Sequence, residues 1–278
     1  MYYEISKDVF DMLPNAVFGA VAVRGIDNTK DVPELKAMLE ESIKECEAYF
    51  GGEKPKNTDA VIPYREAFKA LGINPNRYSC SIEALMDRIA KGKGFPAINA
   101  AVDLGNAISI KYRLPIGAHD IDSLDEGLDV RVAVPEDTFI AFGSTEEEKP
   151  EDGEVVYASG NEVRTRRWTW RQSESGTITE ETKALPFPLD GFKDVTLDKV
   201  AASLMRRTRD SSSRKFEKVR EKVTKKHTAE QNSVLFVVIT TAFMTTFNAS
   251  SLNLSIPSIE ADFGVSAQLI GWVVTTYS

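Results

Sequence analysis

Polar side chains recur at helical spacing in the middle of the chain. Asn99, Asp103 and Asn106 stand at positions i, i+4 and i+7, which share one face of a helix. Amide and carboxylate groups in such a row could orient the amine or the ribose of a substrate. The same groups could instead cap neighbouring loops through buried hydrogen bonds, so the pattern leaves a functional and a structural interpretation open.

Histidine chemistry has few candidates, since the sequence contains only His119 and His227. His227 belongs to a run of basic residues and is interpreted as part of that run. The imidazole of His119 could act as a general acid or base in a hydrolytic reaction. The alternative is an exposed His119 without a chemical role.

A second group of candidates lies between residues 164 and 171, in the sequence Arg-Thr-Arg-Arg-Trp-Thr-Trp-Arg. In an extended strand, one face would carry Arg164, Arg166, Trp168 and Trp170. The other face would carry Thr165, Arg167, Thr169 and Arg171. Guanidinium groups bind phosphates and indole rings stack on unpaired bases, so this composition suits RNA. The tryptophans could instead fill the core, with the arginines solvated or salt-bridged.

The sequence contains no Walker loop, dinucleotide-binding fingerprint, metal-spaced His and Cys cluster or nucleophile elbow. Its two cysteines, Cys46 and Cys80, make neither a disulfide framework nor a zinc site. We therefore expect no cofactor and no metal. The chain begins without a basic and then apolar signal peptide, so we expect its first part in a reducing, cytoplasmic setting.

The elements that must position these residues are predicted to be mixed helices and strands without a regular βαβ repeat. Apolar periodicity predicts helices at 33–50, 65–71, 82–91 and 97–109, with Ser81 as a candidate N-cap. Strands are predicted at 17–26, 108–116 and 130–134, and in a hairpin that turns at 159–161. The 278 residues, 42% of them hydrophobic, exclude a disordered chain, and the net charge of −8 gives no global signal for nucleic acid.

The end of the chain differs from the rest. No residue between Glu230 and Glu260 is ionisable, and these 29 positions exceed the roughly 20 needed to cross a bilayer. Residues 206–226 contain ten Lys and Arg against three Asp and Glu, a bias that marks the cytoplasmic side of a span. This run could also contact anionic lipid or RNA. We predict a basic linker over 208–230 and a transmembrane helix within 231–278; a buried helix of a soluble protein is the alternative.

Several short phrases follow one another along the first part of the chain. They are Asn99…Val102-Asp103…Asn106, Leu114-Pro115…Ala118…Asp120-Ile121-Asp122, Gly153-Glu154…Arg167-Trp168-Thr169-Trp170-Arg171 and Thr179-Glu180-Glu181-Thr182. Together they resemble the B3/B4 domain of phenylalanyl-tRNA synthetase β subunits in its stand-alone form, over about residues 1–207.

The resemblance implies a mixed α/β (α+β) fold with a barrel-like sheet and flanking helices, and contact with tRNA. In the synthetase, this domain also has a cleft that hydrolyses wrongly charged tyrosyl-tRNA. The resemblance therefore makes His119, Asn99 and Asp103 candidate catalytic residues, and the candidate substrate-binding residues are Asn106, Arg167, Trp168, Trp170 and Arg171. The synthetase parts that bind ATP and activate phenylalanine are absent, so a ligase is not expected.

The chain departs from the synthetase phrase at one editing residue. Gly117 stands where the synthetase usually has a histidine, and His119 follows two residues later. Ester hydrolysis does not require a side-chain base, because a positioned water can suffice.

The tail carries a second likeness, in Asn253, Ser255 and Pro257 followed by Trp272 and Tyr277. These residues resemble the first two spans of drug:proton antiporters of the major facilitator superfamily, although Asn248 and Ser250 replace the usual Asp and Thr. One span and the start of a second cannot enclose a substrate path, so transport by this chain is not expected.

Three functional hypotheses follow. The first is a tRNA-binding module over 1–207, acting on mischarged aminoacyl-tRNA in trans and fused to the start of a membrane transporter. The second is a transporter fragment whose cytoplasmic domain is regulatory or incidental. The third is a noncatalytic module for an amino acid or a protein. In the first two hypotheses, the amino-terminal domain faces the cytoplasm and the tail anchors it to the membrane.

Overall fold

The computed structural model describes residues 2–29, 31–96, 98–125, 127–193, 195–196, 234–237 and 274–277. Within these ranges, α-helices and β-sheets are mixed along the chain, which confirms the predicted α/β class. The α-helices are α1 (Lys7–Met12), α2 (Pro33–Phe50), α3 (Ile62–Ala70), α4 (Ser81–Ala90) and α5 (Ala100–Tyr112), and 3-10 turns occupy Pro55–Asn57 and Ile121–Ser123.

The strands form one larger sheet and several pairs. The strands are β1 (Tyr2–Ile5), β2 (Ala16–Arg24), β3 (Gly127–Val132), β4 (Phe139–Ile140), β5 (Glu147–Glu148), β6 (Val155–Ser159), β7 (Glu162–Arg166), β8 (Arg171–Gln172), β9 (Ala184–Phe192), β10 (Val234–Val237) and β11 (Val274–Tyr277). The larger sheet has the order β1-β3-β6-β7-β8, with β1 parallel to β3 and the other neighbours antiparallel.

The predicted barrel-like sheet is wrong for the part of the chain that the structure describes. The five-stranded sheet is open, because β1 and β8 end it and do not pair with each other. Strand β2 pairs instead with β9 over its whole length, from Ala16 opposite Phe192 to Arg24 opposite Ala184. An open sheet and a separate long ribbon therefore replace the closed arrangement.

Helix α2 shows how local sequence produces these elements. Pro33 occupies the first helical position, where a missing N–H costs nothing, and Gly51 ends the helix with a left-handed φ of 51°. Leu35, Leu39 and Cys46 return to one face and are buried. The predictions of this helix, of the strand at 17–26 and of the hairpin at 159–161 are confirmed.

Three local predictions are wrong. The expected strand at 108–116 is the second half of α5, which continues to Tyr112 and buries Ile110 inside the core. Its β-branched residues fit a strand locally, but burial of one helical face overrides that preference. At α4 the N-cap position belongs to Cys80, and Ser81 is the first helical residue. The strand expected through residue 171 ends at Arg166, because Arg167 and Trp168 have left-handed φ values of 48° and 60°.

The main core lies between the helices and the inner faces of the sheets. Its fully buried large side chains include Trp168, Tyr64, Phe18 and Phe68. A second cluster, which includes Leu104, Val21 and Phe187, packs α5 against the β2–β9 ribbon. Helix α5 thus contributes to both clusters, and the turn at 167–170 packs in the main core.

The predicted linker over 208–230 lies outside the described residues. So does the predicted span, except for β10 and β11, which pair antiparallel. Of the helices that the structure describes, none has the length and apolar character needed to traverse a bilayer.

Candidate functional site

The start of α5 is fastened to two loops by its polar side chains. Asn99 is the N-cap residue: its side-chain oxygen accepts from the Val102 N–H at 3.0 Å, and its amide nitrogen donates to the Ile178 carbonyl at 3.1 Å. Asn28 accepts from the Ala101 N–H at 2.9 Å and donates to the Thr179 carbonyl. These contacts favour the structural interpretation, in which the polar side chains cap the helix and fix neighbouring loops.

Asp103 and Asn106 continue the same helix. Asp103 is buried and accepts a hydrogen bond from the Ile98 N–H at 3.3 Å. Burial raises the pKa of the Asp103 carboxyl, although the Ile98 N–H and Lys36 lower it in part. Asn106 is half-buried. Asp103 is thus engaged in fixing the chain just before α5.

His119 is buried, not exposed, with 1% of its surface accessible. Its ring stacks on that of Tyr157 with 6.4 Å between the centroids. Burial, and then the positive charge of Arg164, lower the pKa of His119 to about 3, so the imidazole is neutral near pH 7. A neutral and enclosed ring is a weak base, so direct proton abstraction by His119 is disfavoured.

One loop connects the His119 segment with the start of α5. Asp120 accepts from the Thr182 hydroxyl at 2.5 Å, and the Asp120 N–H donates to the Gly176 carbonyl. The same loop provides Ile178, which binds the side chain of Asn99. The described contacts therefore tie Asn99, and Asp120 next to His119, to the same 176–182 loop.

Trp168 lies at the centre of the core with none of its surface accessible. Its ring packs against Phe18, Tyr64, Phe68 and Phe192 at centroid distances between 5.8 and 6.4 Å. No face of the indole is free for a base, which favours the interpretation in which Trp168 fills the core.

The indole N–H of Trp168 donates a hydrogen bond within a buried polar network. It donates to Asp190 at 2.6 Å, and the Tyr157 hydroxyl donates to the same carboxyl oxygen at 2.6 Å. The Tyr64 hydroxyl donates to the Asp190 backbone carbonyl at 2.8 Å. Burial raises the pKa of Asp190 to about 7, because the two side-chain donors offset only part of the desolvation.

Trp170 and the neighbouring arginines form a different environment. The guanidinium of Arg167 lies 4.0 Å from the Tyr78 ring centroid and 5.0 Å from that of Trp170, and the two rings meet edge to face at 4.7 Å. Arg77 lies over Tyr78 at 5.0 Å, and Arg171 lies near Trp170 at 5.9 Å. Such distances are typical of cation–π contacts.

An exposed aromatic residue extends this arrangement. Arg171 donates to the Phe142 carbonyl at 3.2 Å, and Phe142 has 56% of its surface accessible. Arginine and aromatic side chains thus alternate from one loop to the next. We call this set the Arg–aromatic surface; its members are Arg77, Tyr78, Arg167, Trp170, Arg171 and Phe142.

The loop before α4 reaches this surface through a long-range hydrogen bond. The Ser81 N–H donates to the Thr169 carbonyl at 2.8 Å, which joins the loop that carries Arg77 and Tyr78 to the 167–170 turn. Sequence reasoning missed Tyr78, although an Arg-Tyr pair in a polar loop is a signal that could have found it.

Acidic side chains neutralise part of the positive charge at and beside the Arg–aromatic surface. Arg167 forms an ion pair with Glu151 at 2.5 Å, although its guanidinium is itself largely buried. The side chain of Glu151 is 73% exposed. Arg166 is enclosed between Glu154 and Glu148 at 2.9 and 2.7 Å. Arg77 and Arg171 are exposed and contribute the accessible positive charge of the Arg–aromatic surface. Across the ranges that the structure describes, no group of His, Cys, Asp and Glu could hold a metal ion.

Comparisons with known proteins give the following matches. A family model described as the B3/4 domain matches residues 63–237, a range that contains α4, α5 and the whole Arg–aromatic surface. Among solved structures, the chain is similar to an N-terminal fragment of the phenylalanyl-tRNA synthetase beta-subunit from Pyrococcus horikoshii. The identity is 14%, the TM-score is 0.39, and the match covers 85% of this chain and 51% of the other, so the chain spans about half of that fragment. A search of curated proteins gives no match.

Proposed function

The chain belongs to the B3/4 domain family, and on this premise we propose that it is a tRNA-binding module whose contact region is the Arg–aromatic surface. The observation that carries the proposal is the alternation of guanidinium groups and aromatic rings around Trp170. RNA offers both of the matching chemical groups, since its phosphates pair with arginine and its unpaired bases stack on aromatic rings.

The roles within the surface differ by exposure. Exposed Arg77 and Arg171 are available for phosphates, and exposed Phe142 and half-buried Trp170 are available for bases. Arg167 is largely buried and stacks on Tyr78 and Trp170, so its proposed role is to hold the two rings in place. This assignment moves the phosphate contact from Arg167 to Arg77 and Arg171.

The electrostatic setting predicts weak and salt-sensitive binding. The chain carries a net charge of −8, and Glu151 occupies the guanidinium of Arg167. Phosphates must therefore rely on a few local arginines against an overall repulsion. Each phosphate contact adds about one unit to the slope of log affinity against log salt concentration.

The experiment is a tRNA-binding titration with the full chain in detergent, at several salt concentrations. We expect saturable binding that weakens as salt rises, and an Arg171→Ala variant whose salt slope is smaller by about one. Arg88→Ala is a matched control on α4, because that guanidinium binds the Gly94 carbonyl outside the proposed surface. Equal salt slopes for the parent chain and Arg171→Ala would show that Arg171 does not contact a phosphate.

A finer form of the proposal is hydrolysis of mischarged aminoacyl-tRNA in trans. It is supported by the 176–182 loop, which binds Asn99 and also Asp120, the residue after His119. Because His119 is neutral and enclosed, the reaction would depend on a positioned water, not on a side-chain base. Incubation of the full chain with a panel of mischarged tRNAs tests it: ester loss at the buffer rate for every tRNA removes the enzymatic proposal and leaves the binding module.

We also propose that the tail, which resembles the first spans of major facilitator transporters, attaches the module to the cytoplasmic membrane. The support is the sequence alone, with its 29 uncharged positions after a basic run. Protease added outside intact cells should leave the amino-terminal domain uncut. Cleavage of that domain from outside would reverse the proposed topology.

A further inference from the structure

Two polar side chains outside the Arg–aromatic surface are enclosed without hydrogen-bond partners for several of their atoms. His119 and Arg164 have 1% and 2% of their surface accessible. Both ring nitrogens of His119, and Nε and Nη1 of Arg164, have no hydrogen-bond partner in the described part of the protein. Buried polar atoms are almost always satisfied in folded proteins, so four such atoms on two side chains point to a bound group.

The two side chains are attached to one short segment. Nη2 of Arg164 donates to the Ser123 carbonyl, and the Ser123 hydroxyl donates to the Asp120 carbonyl at 2.6 Å. Asp120 directly follows His119. Arg164 is also close enough for its charge to lower the pKa of His119. The segment 119–123 therefore carries His119 and holds Arg164.

Glycines stand next to both side chains. A Cβ atom on Gly117 would lie 3.6 Å from Nε2 of His119, and a Cβ on Gly176 would lie 3.4 Å from Nη1 of Arg164. Gly176 has a left-handed φ of 79°, a conformation that other residues adopt only with strain. Neither position therefore places a side chain against the unpartnered nitrogens.

The guanidinium of Arg164 is buried beside two carboxylates. Burial lowers the pKa of its guanidinium, and the nearby carboxylates of Glu162 and Asp125 raise it without offsetting that loss. The Glu162 side chain pairs with Nη2 at 2.9 Å and is 44% exposed, so solvent screens its charge. A monoanion beside the guanidinium would offset part of that loss, while the two carboxylates oppose a more highly charged ligand.

We propose that His119 and Arg164 form a buried binding site for a small carboxylate anion. Its two oxygens would accept hydrogen bonds from Nε and Nη1 of Arg164 and from one N–H of the His119 imidazole. Its single charge would lie on the side of the guanidinium that Glu162 does not pair with. Arginine is suited to this role because it stays charged when buried and presents several donors in fixed directions. The site does not depend on RNA binding.

The test uses the full chain labelled with 15N-histidine and sodium acetate as the probe. The sequence has only two histidines, so the spectrum contains His119 and His227, and a His119→Phe variant identifies each. We expect acetate to shift the ring resonances of His119 in a saturable manner and to raise the melting temperature. Sodium chloride at equal ionic strength and the uncharged isostere acetamide should do neither.

Arg164→Met should abolish the response of His119 to acetate, whereas Arg88→Met, which removes an arginine from α4, should preserve it. If Arg164→Met does not fold, the comparison of acetate with chloride and acetamide in the parent chain decides the question. The proposal is overturned if His119 does not respond to acetate, if chloride or acetamide produces the same shift, or if a folded Arg164→Met keeps the response. Each of these results is independent of whether the chain binds tRNA.

Discussion

Trp168 and Trp170 are separated by one residue and lie in opposite environments. Trp168 is enclosed by four aromatic rings and donates its N–H to Asp190. Trp170 is half-buried and contacts Tyr78 and two guanidinium groups. An extended strand would have placed both indoles on the same face. The left-handed backbone at Arg167 and Trp168 separates them, and turns one tryptophan into the core and the other towards the loops.

One short turn thus places one tryptophan in the core and the next at the core's edge. The neighbours of Trp168 are apolar except for one carboxyl, so its contacts stabilise the fold. Trp170 packs against the edge of that core, but its neighbours include Arg167 and the exposed Arg171, so part of its environment is available to a ligand. Substitutions at the two positions should therefore affect different measurements.

The largest expected effect is on stability, at Trp168. Trp168→Ala should lower the free energy of unfolding by about 3–5 kcal/mol, because it leaves a cavity and removes a donor from Asp190. Urea denaturation of the full chain measures this, with Trp170→Ala as the matched control, for which we expect a loss of about 1 kcal/mol. Equal losses at the two positions would remove the distinction between core and surface.

The next effect concerns the carboxyl that binds Trp168. The pKa of Asp190 is raised in the folded state from 3.8 to about 7, so the folded chain binds the proton more tightly than the unfolded chain. The stability that this provides is complete below about pH 4 and is lost as the pH rises to about 7. The shift corresponds to about 4 kcal/mol.

Asp190→Asn removes this titration and keeps an oxygen that can accept from Trp168 and Tyr157. Relative to the parent chain, the variant should therefore gain stability between pH 4 and pH 7, as measured by urea denaturation at each pH. His119 acts in the opposite direction: its lowered pKa makes stability fall as the pH drops from about 6.5 towards 3. Because both chains contain His119, its contribution cancels in the difference, and a difference that does not change with pH would contradict the account.

A smaller effect is expected in RNA affinity, at the surface tryptophan and its partner. Trp170→Ala should weaken tRNA binding by about 1–3 kcal/mol, the range for loss of an aromatic ring that stacks on a base. Tyr78→Ala should weaken it less, because Tyr78 contacts Trp170 and Arg167 and acts by holding them in place. Fluorescence anisotropy with labelled tRNA measures this. The exposed Tyr49 of α2 provides a control, since Tyr49→Ala removes a ring outside the Arg–aromatic surface.

The smallest effect is a gain of affinity. Glu151→Gln removes the carboxylate that pairs with Arg167, and should strengthen tRNA binding by a factor of roughly two to five, the range for one exposed ion pair. Glu45→Gln changes the net charge equally on the exposed face of α2. If both variants bind alike, Glu151 does not compete with RNA locally.

Local periodicity predicted those parts of the fold whose cause is local. Helix α2, with its proline start and glycine end, and the β6–β7 hairpin belong to this class. The prediction of a strand in the second half of α5 was wrong, because burial of this segment against distant elements decides its conformation. The candidate site was predicted only in part: Trp170 and Arg171 were found, but their arrangement with Tyr78 depends on the hydrogen bond between Ser81 and Thr169. Asp190 was missed because its partners are distant in sequence.

The central claim is that this chain binds tRNA through the surface around Trp170. The most direct measurement is the affinity of the full chain for tRNA, compared with that of Trp170→Ala under the same salt conditions. We expect saturable binding to the parent chain and an affinity for Trp170→Ala that is roughly tenfold lower, with the urea midpoint lowered only by what a loss of about 1 kcal/mol implies. An absence of saturable tRNA binding by the parent chain, or equal affinity for the two proteins, would contradict it.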